Sequence, residues 1–327
     1  MADLRTKYLG VELENPVVVG ASPLSNRIDT IKEIEAAGAG ALVIRSLFEE
    51  QIQRETAAFE EQRAKFDDQF TEAVDLFPKL EHGGPKEHLY WVSKTREEVS
   101  MPLFASLNAV TKQVWVDHAR QLAETGVDGL ELNFYSPPLA ANISSEEMEK
   151  REIDIFARVR DAVKIPLAVK LHPFYTNMHR TALAFDKLGA DGLVLFNRLF
   201  QPDIDIGTQT EESPTVLSGK GDYLVPLRWI ALLHGKVKAT LIGNTGILDG
   251  HDAVRMLLAG ADAVQVVSAL YKNKLGHVKT MLDQLSGWMD EKGYASIDEF
   301  RGKVSRRDTA DAWSFHRGQY IQALLSH

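Results

Sequence analysis

Lys170 is the first residue in this sequence whose position calls for a chemical explanation. The run Pro166-Leu-Ala-Val-Lys-Leu reads as a buried strand, and an ammonium inside it is costly without an anionic partner. Such a lysine can form a Schiff base, can sit as a cation against an electron-rich cofactor ring, or can simply snorkel to the nearest rim. The segment Ile242-Gly-Asn-Thr-Gly-Ile carries the second signal. Gly243 and Gly246 let main-chain amides approach a phosphate, with Asn244 and Thr245 between them, and Ser268-Ala269 after the next apolar run adds a hydroxyl. A ligand-free tight turn could use the same residues. Taken together, the two features point to a polar, phosphate-bearing anionic ligand.

These residues need elements to hold them, and the chain supplies a weak internal repeat. A helix ends at Gly, a short turn follows, and an apolar run begins at Gly38-Ala-Gly-Ala, Gly126-Val-Asp-Gly, Gly189-Ala-Asp-Gly and Gly260-Ala-Asp-Ala. Four further apolar runs lie between them: Pro16–Ser22, Pro102–Leu107, Pro166–Leu171 and Ala239–Asn244. That makes eight runs, each reading as a parallel strand buried on both faces. Segments with helical spacing separate them, at Ile28–Ala37, Gln113–Thr125, Glu146–Val163, Thr181–Leu188, Pro226–Leu233 and Asp252–Leu258.

Eight β/α repeats predict a single α/β domain over residues 1–327, a (β/α)8 barrel of the TIM type. An open doubly wound sheet is the alternative, but the turn after the first run, Gly20-Ala-Ser-Pro-Leu-Ser, lacks its dinucleotide fingerprint. One connection is long: residues 47–100 form an insertion after strand 2. Its Glu49–Asp68 part reads as a solvated helix, and Leu76–Pro85, with paired glycines and His82, reads as a candidate lid.

In such a barrel the chemistry lies where the strands end. The residues there are Ala21-Ser22, Arg45-Ser46, Ser106 and Asn108, Asn133 to Ser136, Lys170 and His172, Asn197-Arg198, Gly243 to Gly246, and Ser268-Ala269. Amides, hydroxyls and cations over one rim suit a polar, anionic small molecule.

Composition removes several function classes. Hydrophobic residues make up 44% and charged residues 25%, as expected of a globular enzyme. A net charge of −9 argues against a nucleic-acid surface. The absence of cysteine excludes cysteine nucleophiles, Cys-bound zinc and iron–sulfur clusters, and no metal site is expected. With no secretory signal and no membrane-length apolar stretch, a cytoplasmic location is expected.

Across nearly its whole length the chain resembles the dihydroorotate dehydrogenase family, FMN-dependent (β/α)8 barrels. The markers come in family order: Asn15-Pro16, Glu131-Leu-Asn-Phe-Tyr-Ser-Pro-Pro, Val169-Lys-Leu-His-Pro-Phe, Asn197, Gly243-Asn-Thr-Gly-Ile, and Ala259-Gly-Ala-Asp-Ala-Val-Gln-Val-Val-Ser. The resemblance implies FMN as cofactor and oxidation of a CH–CH group, dihydroorotate to orotate in pyrimidine biosynthesis or a related substrate. It assigns Ser136 as catalytic base, Lys170 to the flavin ring, and Asn133 and Asn197 to substrate, with Asn133 also touching flavin. Ala21, Ser22, Arg45, Gly219, Gly221, Gly243, Asn244, Thr245, Gly246, Ser268 and Ala269 fall at cofactor-binding positions.

The chain also departs from the family pattern. Pro138 stands where the family has Asn, Arg45 where it has Lys, and Val267 where it has Gly. No Asn-Ser-Met-Gly-type segment occurs between Ser46 and Met101. A serine at the base position is the habit of the membrane branch, whereas the rest of the chain is built like the soluble enzymes. A homodimer and a protein electron-transfer partner are further expectations of the resemblance. Two other readings stay open: a flavin-free, phosphate-binding barrel lyase or isomerase using Lys170, and a non-catalytic subunit that holds FMN or a partner.

Overall fold

The computed structural model describes residues 2–48, 85–135, 142–198, 202–212, 217–306 and 312–326. The eight apolar runs become eight parallel strands: β1 (Val17–Val19), β2 (Ala41–Phe48), β3 (Leu103–Asn108), β4 (Gly129–Asn133), β5 (Leu167–Leu171), β6 (Gly192–Leu195), β7 (Thr240–Gly243) and β8 (Ala263–Val266). They pair in chain order and close, with β8 hydrogen-bonded to β1. Nearly every strand residue is buried, because one face meets the barrel interior and the other meets helices.

The helices are α1 (Ile28–Ala36), α2 (Pro85–Glu98), α3 (Lys112–Ala123), α4 (Ser145–Ala162), α5 (Met178–Lys187), α6 (Leu224–Leu233), α7 (Gly250–Ala259), α8 (Ser268–Asn273), α9 (His277–Lys292) and α10 (Ala312–Leu325). Their starts are chemically marked. Thr111 caps α3, and Ser144 and Glu147 form a reciprocal capping box at α4. The region expected as an insertion turns out to be shorter. β2 runs to Phe48, and α2 is the barrel helix of the second repeat, packed against α1 and α3. Residues 49–84, with the Glu49–Asp68 helix and nearly all of the candidate lid including His82, lie outside the described residues.

The Gly-x-Asp repeat has one physical cause. Asp128, Asp191 and Asp262 each precede a strand and accept a main-chain N–H from the start of the previous strand, from Leu103, Leu167 and Leu241 respectively, at 2.8 Å in each case. Each carboxylate also pairs with an arginine: Arg96, Arg160 and Arg301. Arg96 and Arg160 go on to donate to the two carbonyls of the turn behind them. The first repeat has no Asp, and Asn15 serves instead, accepting from Val17 N–H and donating to the Gly38 carbonyl. Gly40 passes so close to Asn15 that a Cβ would lie 2.2 Å from its carbonyl oxygen.

An antiparallel hairpin, Thr6–Tyr8 with Val11–Leu13, plugs the N-terminal end of the barrel. Its Tyr8, Leu9 and Leu13 complete the interior core of Val18, Ala41, Val43, Phe104, Ala168, Val194, Ile242 and Ala263. Tyr8 packs on Phe104 with ring centroids 4.6 Å apart. Gly192 makes room for Leu9, since a Cβ there would fall 2.0 Å from the leucine methyl. The barrel floor is therefore sealed, and polar groups above it must satisfy one another.

The repeat carboxylates predict a stability pattern. Asp191→Ala removes a strand-opening acceptor and an Arg160 partner together, and is expected to lower unfolding free energy by about 1–3 kcal/mol in urea titration. Asp29→Ala, which breaks an exposed pair at 3.9 Å and removes an acidic residue from the first turn of α1, is expected to change it by less than about 1 kcal/mol.

Candidate functional site

Strand alternation turns Ser106, Glu131, Lys170 and Gln265 inward, where they meet one another above the sealed floor. Lys170 Nζ lies 3.2 Å from Glu131 Oε1 and 3.2 Å from Gln265 Oε1. Gln265 Nε2 donates to Glu131 Oε2 and, at 2.8 Å, to the Tyr8 hydroxyl. Ser106 Oγ reaches Glu131 Oε1 at 3.4 Å and shares a 2.7 Å hydrogen bond with Ser46 Oγ. The anion that the sequence requires beside Lys170 is thus Glu131, whose side chain has no solvent exposure. Burial raises the Tyr8 hydroxyl well above the ordinary phenol range, and the nearby Glu131 charge adds to the shift, so Tyr8 stays neutral. An ammonium has three donors, and the third N–H of Lys170 has no partner among the described residues. The ion pair also disfavours the Schiff-base reading, which needs a free neutral amine.

Above this level the strand ends carry amides. Asn197 Nδ2 donates to Asn133 Oδ1 at 2.7 Å, and Asn108 Nδ2 donates to the Asn133 carbonyl at 2.8 Å. This leaves the Asn133 amide nitrogen and the Asn197 amide oxygen with no partner among the described residues, one donor and one acceptor side by side. Ala21 packs on the interior core, while the buried Ser22 Oγ beside it has no hydrogen-bond partner among the described residues. Ser25 ties this corner together: its Oγ accepts from Arg45 N–H and its carbonyl accepts from Trp91 Nε1.

The loops after β6, β7 and β8 converge. Ser218 N–H donates to Ser268 Oγ at 2.9 Å, Lys272 Nζ donates to the Ser218 carbonyl, and Arg198 bridges Ser218 Oγ and Asp222. Gly246, at φ +76°, lies against Asp222 and Tyr223, where a Cβ would come within 2.3 Å of the Tyr223 nitrogen. Gly219, Gly221, Gly246 and Ser268 therefore belong to one loop cluster, while Gly243 ends β7 against Met256 and Ile230 of the outer helices. Asn244 Nδ2 and Thr245 Oγ1 both donate to the Phe196 carbonyl, so these side chains hold the turn. Ala269 is buried in the outer core and offers only main chain. Among the described residues the main-chain N–H groups of Thr245 and Gly246 have no protein acceptor.

His172, expected at a strand end, lies among groups that were not singled out from the sequence: Tyr175, Glu152 and, apart from these, His88. Tyr175 donates to Glu152 Oε2 at 2.6 Å, and its ring stacks on His172 at 4.0 Å and 9°. His172 Nδ1 accepts from Phe174 N–H, which leaves the ring proton on Nε2, and burial holds its pKa near 4. Burial likewise pushes Glu152 up to about 7. The buried His88 of α2 is lowered to about 4 by burial and then by the nearby Arg45 charge, and its Nε2 has no partner among the described residues. Glu152 sits in a heavily charged stretch, so nothing in its local pattern marks it as buried. Ser136 and Pro138 lie outside the described residues. No group of His, Asp and Glu suited to a metal occurs among the described residues, and no helix among them is long and apolar enough to cross a membrane.

The raised carboxyl has a pH signature. Glu152 is protonated in the fold over a window, about pH 4.5 to 7, in which the unfolded chain is ionised, so its contribution to stability falls as pH rises through that window. His172 works in the opposite sense, losing stability as pH falls from 6.5 towards 4. Glu152→Gln removes only the first effect. Relative to the parent chain the variant is expected to gain up to roughly 3 kcal/mol between pH 4.5 and pH 8 in chemical unfolding, with His172 cancelling in the comparison.

Comparison with known proteins places this geometry. Residues 80–289 match the family model described as dihydroorotate dehydrogenase. A relative from Thermoplasma volcanium named dihydroorotate dehydrogenase B (NAD(+)), catalytic subunit, is 30% identical over 94% of this chain and 100% of its own length. One of the same name from Methanocaldococcus jannaschii is 27% identical over 91% of this chain and 97% of its own. A dihydroorotate dehydrogenase A (fumarate) from Lactobacillus helveticus is 25% identical over 93% and 99% respectively.

Proposed function

The chain belongs to the dihydroorotate dehydrogenase family, and on that premise we propose that it is an FMN-dependent oxidoreductase that oxidises the CH–CH bond of dihydroorotate to give orotate for pyrimidine biosynthesis. The observation that carries this reading is the interior lysine. It is anchored by Glu131 and Gln265 and keeps one donor for a ligand at the rim.

The residues present fit the cofactor. The unpartnered Ser22 hydroxyl, the third Lys170 donor and the Asn133 amide nitrogen face ligand chemistry with no protein partner of their own. The main-chain N–H groups of Thr245 and Gly246, beside Ser268 and the open backbone at Gly219, offer a phosphate cradle. Gly221, Gly243, Asn244 and Ala269 shape that cradle, and Arg45 adds a cation at the strand 2 corner. When bound, FMN supplies the two-electron acceptor.

The chain's own residues do the rest. Asn133 and Asn197 present one donor and one acceptor, a pattern that matches the adjacent carbonyl and N–H groups of a dihydropyrimidine ring. Ser136 takes the proton from one carbon while the neighbouring carbon gives up hydride. A serine needs help to do so, and Tyr135 or a water is the candidate relay. The sealed floor keeps bulk water from the lower side of the site. The electrons then leave through a protein partner, consistent with relatives named as catalytic subunits, since a chain without cysteine carries no iron–sulfur relay.

Anaerobic addition of dihydroorotate to the purified protein is expected to bleach the flavin bands. Ser136→Ala is expected to retain FMN and to slow that bleaching by about 10²–10⁴-fold in stopped flow. Flavin bands that dihydroorotate leaves unchanged in the parent chain would refute this substrate while keeping the cofactor.

A further inference from the structure

We propose that Glu131, held in place by Gln265, is a positioning residue that sets how much positive charge Lys170 presents to the flavin, and thereby tunes how readily the cofactor accepts negative charge. The inference rests on the FMN reading above.

Lys170 and Glu131 are one cation and one anion, 3.2 Å apart, on adjacent strands above a floor closed by Tyr8 and Leu9. The carboxylate is fully buried, so neither water nor salt screens its charge from whatever meets the open side of the lysine. Both of its oxygens are engaged. Oε1 takes Lys170 and Ser106, and Oε2 takes Gln265 Nε2, so the group cannot swing away when a ligand arrives. Gln265 is held in turn, its second Nε2 bond running to the Tyr8 hydroxyl of the N-terminal hairpin.

The column Tyr8–Gln265–Glu131–Lys170 thus links the floor of the barrel to its cofactor rim. An amide at position 131 would fill the same space and keep one oxygen for Lys170, although without the charge that strengthens the bond. What it would remove is one negative charge. At position 265 the neutral amide is required, because its Nε2 donates to the carboxylate and a second carboxylate there would share a proton with the first.

The charge at position 131 can be removed or kept by substitution. Sulfite adds to oxidised flavin and leaves negative charge on it, so its dissociation constant, read from the loss of the visible bands of FMN-loaded protein, reports the local field. Glu131→Gln is expected to bind sulfite about tenfold more tightly than the parent chain, and Glu131→Asp, which keeps the charge on a shorter arm, to stay within about threefold of it, a size consistent with one charge lost or kept a few ångströms away in a partly buried site. Structural damage alone would move both variants together. The proposal is overturned if Glu131→Gln, carrying one FMN per chain, stays within about twofold of the parent or binds sulfite more weakly, or if Glu131→Asp shifts as far as Glu131→Gln. Should Glu131→Gln fail to fold, Glu131→Met, neutral and of similar length, decides by the same criterion. A colourless parent protein that takes up no FMN overturns the cofactor reading itself, and this is seen before any variant is made.

Discussion

An ammonium buried inside a closed barrel must have an anion within reach, and in this protein that requirement organises the centre of the molecule. Lys170 meets Glu131 across adjacent strands, and the pair forms because β4 and β5 align Asn133 with Lys170, which brings the preceding inward residue of β4 to the lysine from below. Breaking such a pair by removing one member leaves an uncompensated charge in a medium that cannot solvate it. The interior has therefore been built around keeping the pair intact. Gln265 fixes the carboxylate, Tyr8 fixes Gln265, and Ser106, itself hydrogen-bonded to Ser46, donates to the carboxylate as well.

The barrel walls serve this centre by holding register. Strand alternation allows no slippage, since a one-residue shift would turn Lys170 and Glu131 into the apolar layer between strands and helices. The aspartates that open β4, β6 and β8 act against such a shift, each bonded to an N–H at the start of the strand before it and to an arginine. They do at the bottom of the barrel what the asparagines do at the top, where Asn108, Asn133 and Asn197 tie three strand ends together. With the floor sealed and the register pinned, the open polar groups are those at the rim, among them Ser22, the Asn133 amide and the third donor of Lys170.

How far this could be read from sequence follows from which forces are local. All eight strands were legible because burial on both faces leaves an unbroken apolar run, and the Gly-x-Asp turns marked where three of them start, with Gly38-Ala-Gly marking a fourth. Lys170, Asn133 and the Gly243–Gly246 turn were legible as rim chemistry for the same reason, since each ends such a run. Other features depend on distant partners. Glu131 reads as part of a motif, but its role as counter-ion rests on Lys170, thirty-nine positions away. The hairpin carrying Tyr8 has strands of three residues, too short for a periodicity to show. Helix α2 sits in a charged stretch that reads as an insertion, and the buried Glu152 lies among solvated neighbours. Asn244 and Thr245 show the opposite error of emphasis: they lie in a phosphate-type turn, but their side chains brace it through the Phe196 carbonyl.

The central claim is that this rim is an FMN site with a main-chain phosphate cradle on one side and Lys170 on the other. Titration of flavin-free protein with FMN and, separately, with riboflavin, followed by flavin fluorescence, tests it most directly. The account predicts saturation at one FMN per chain and much weaker binding of riboflavin, which lacks the phosphate. Equal affinity for the two, or no binding of either, would contradict it.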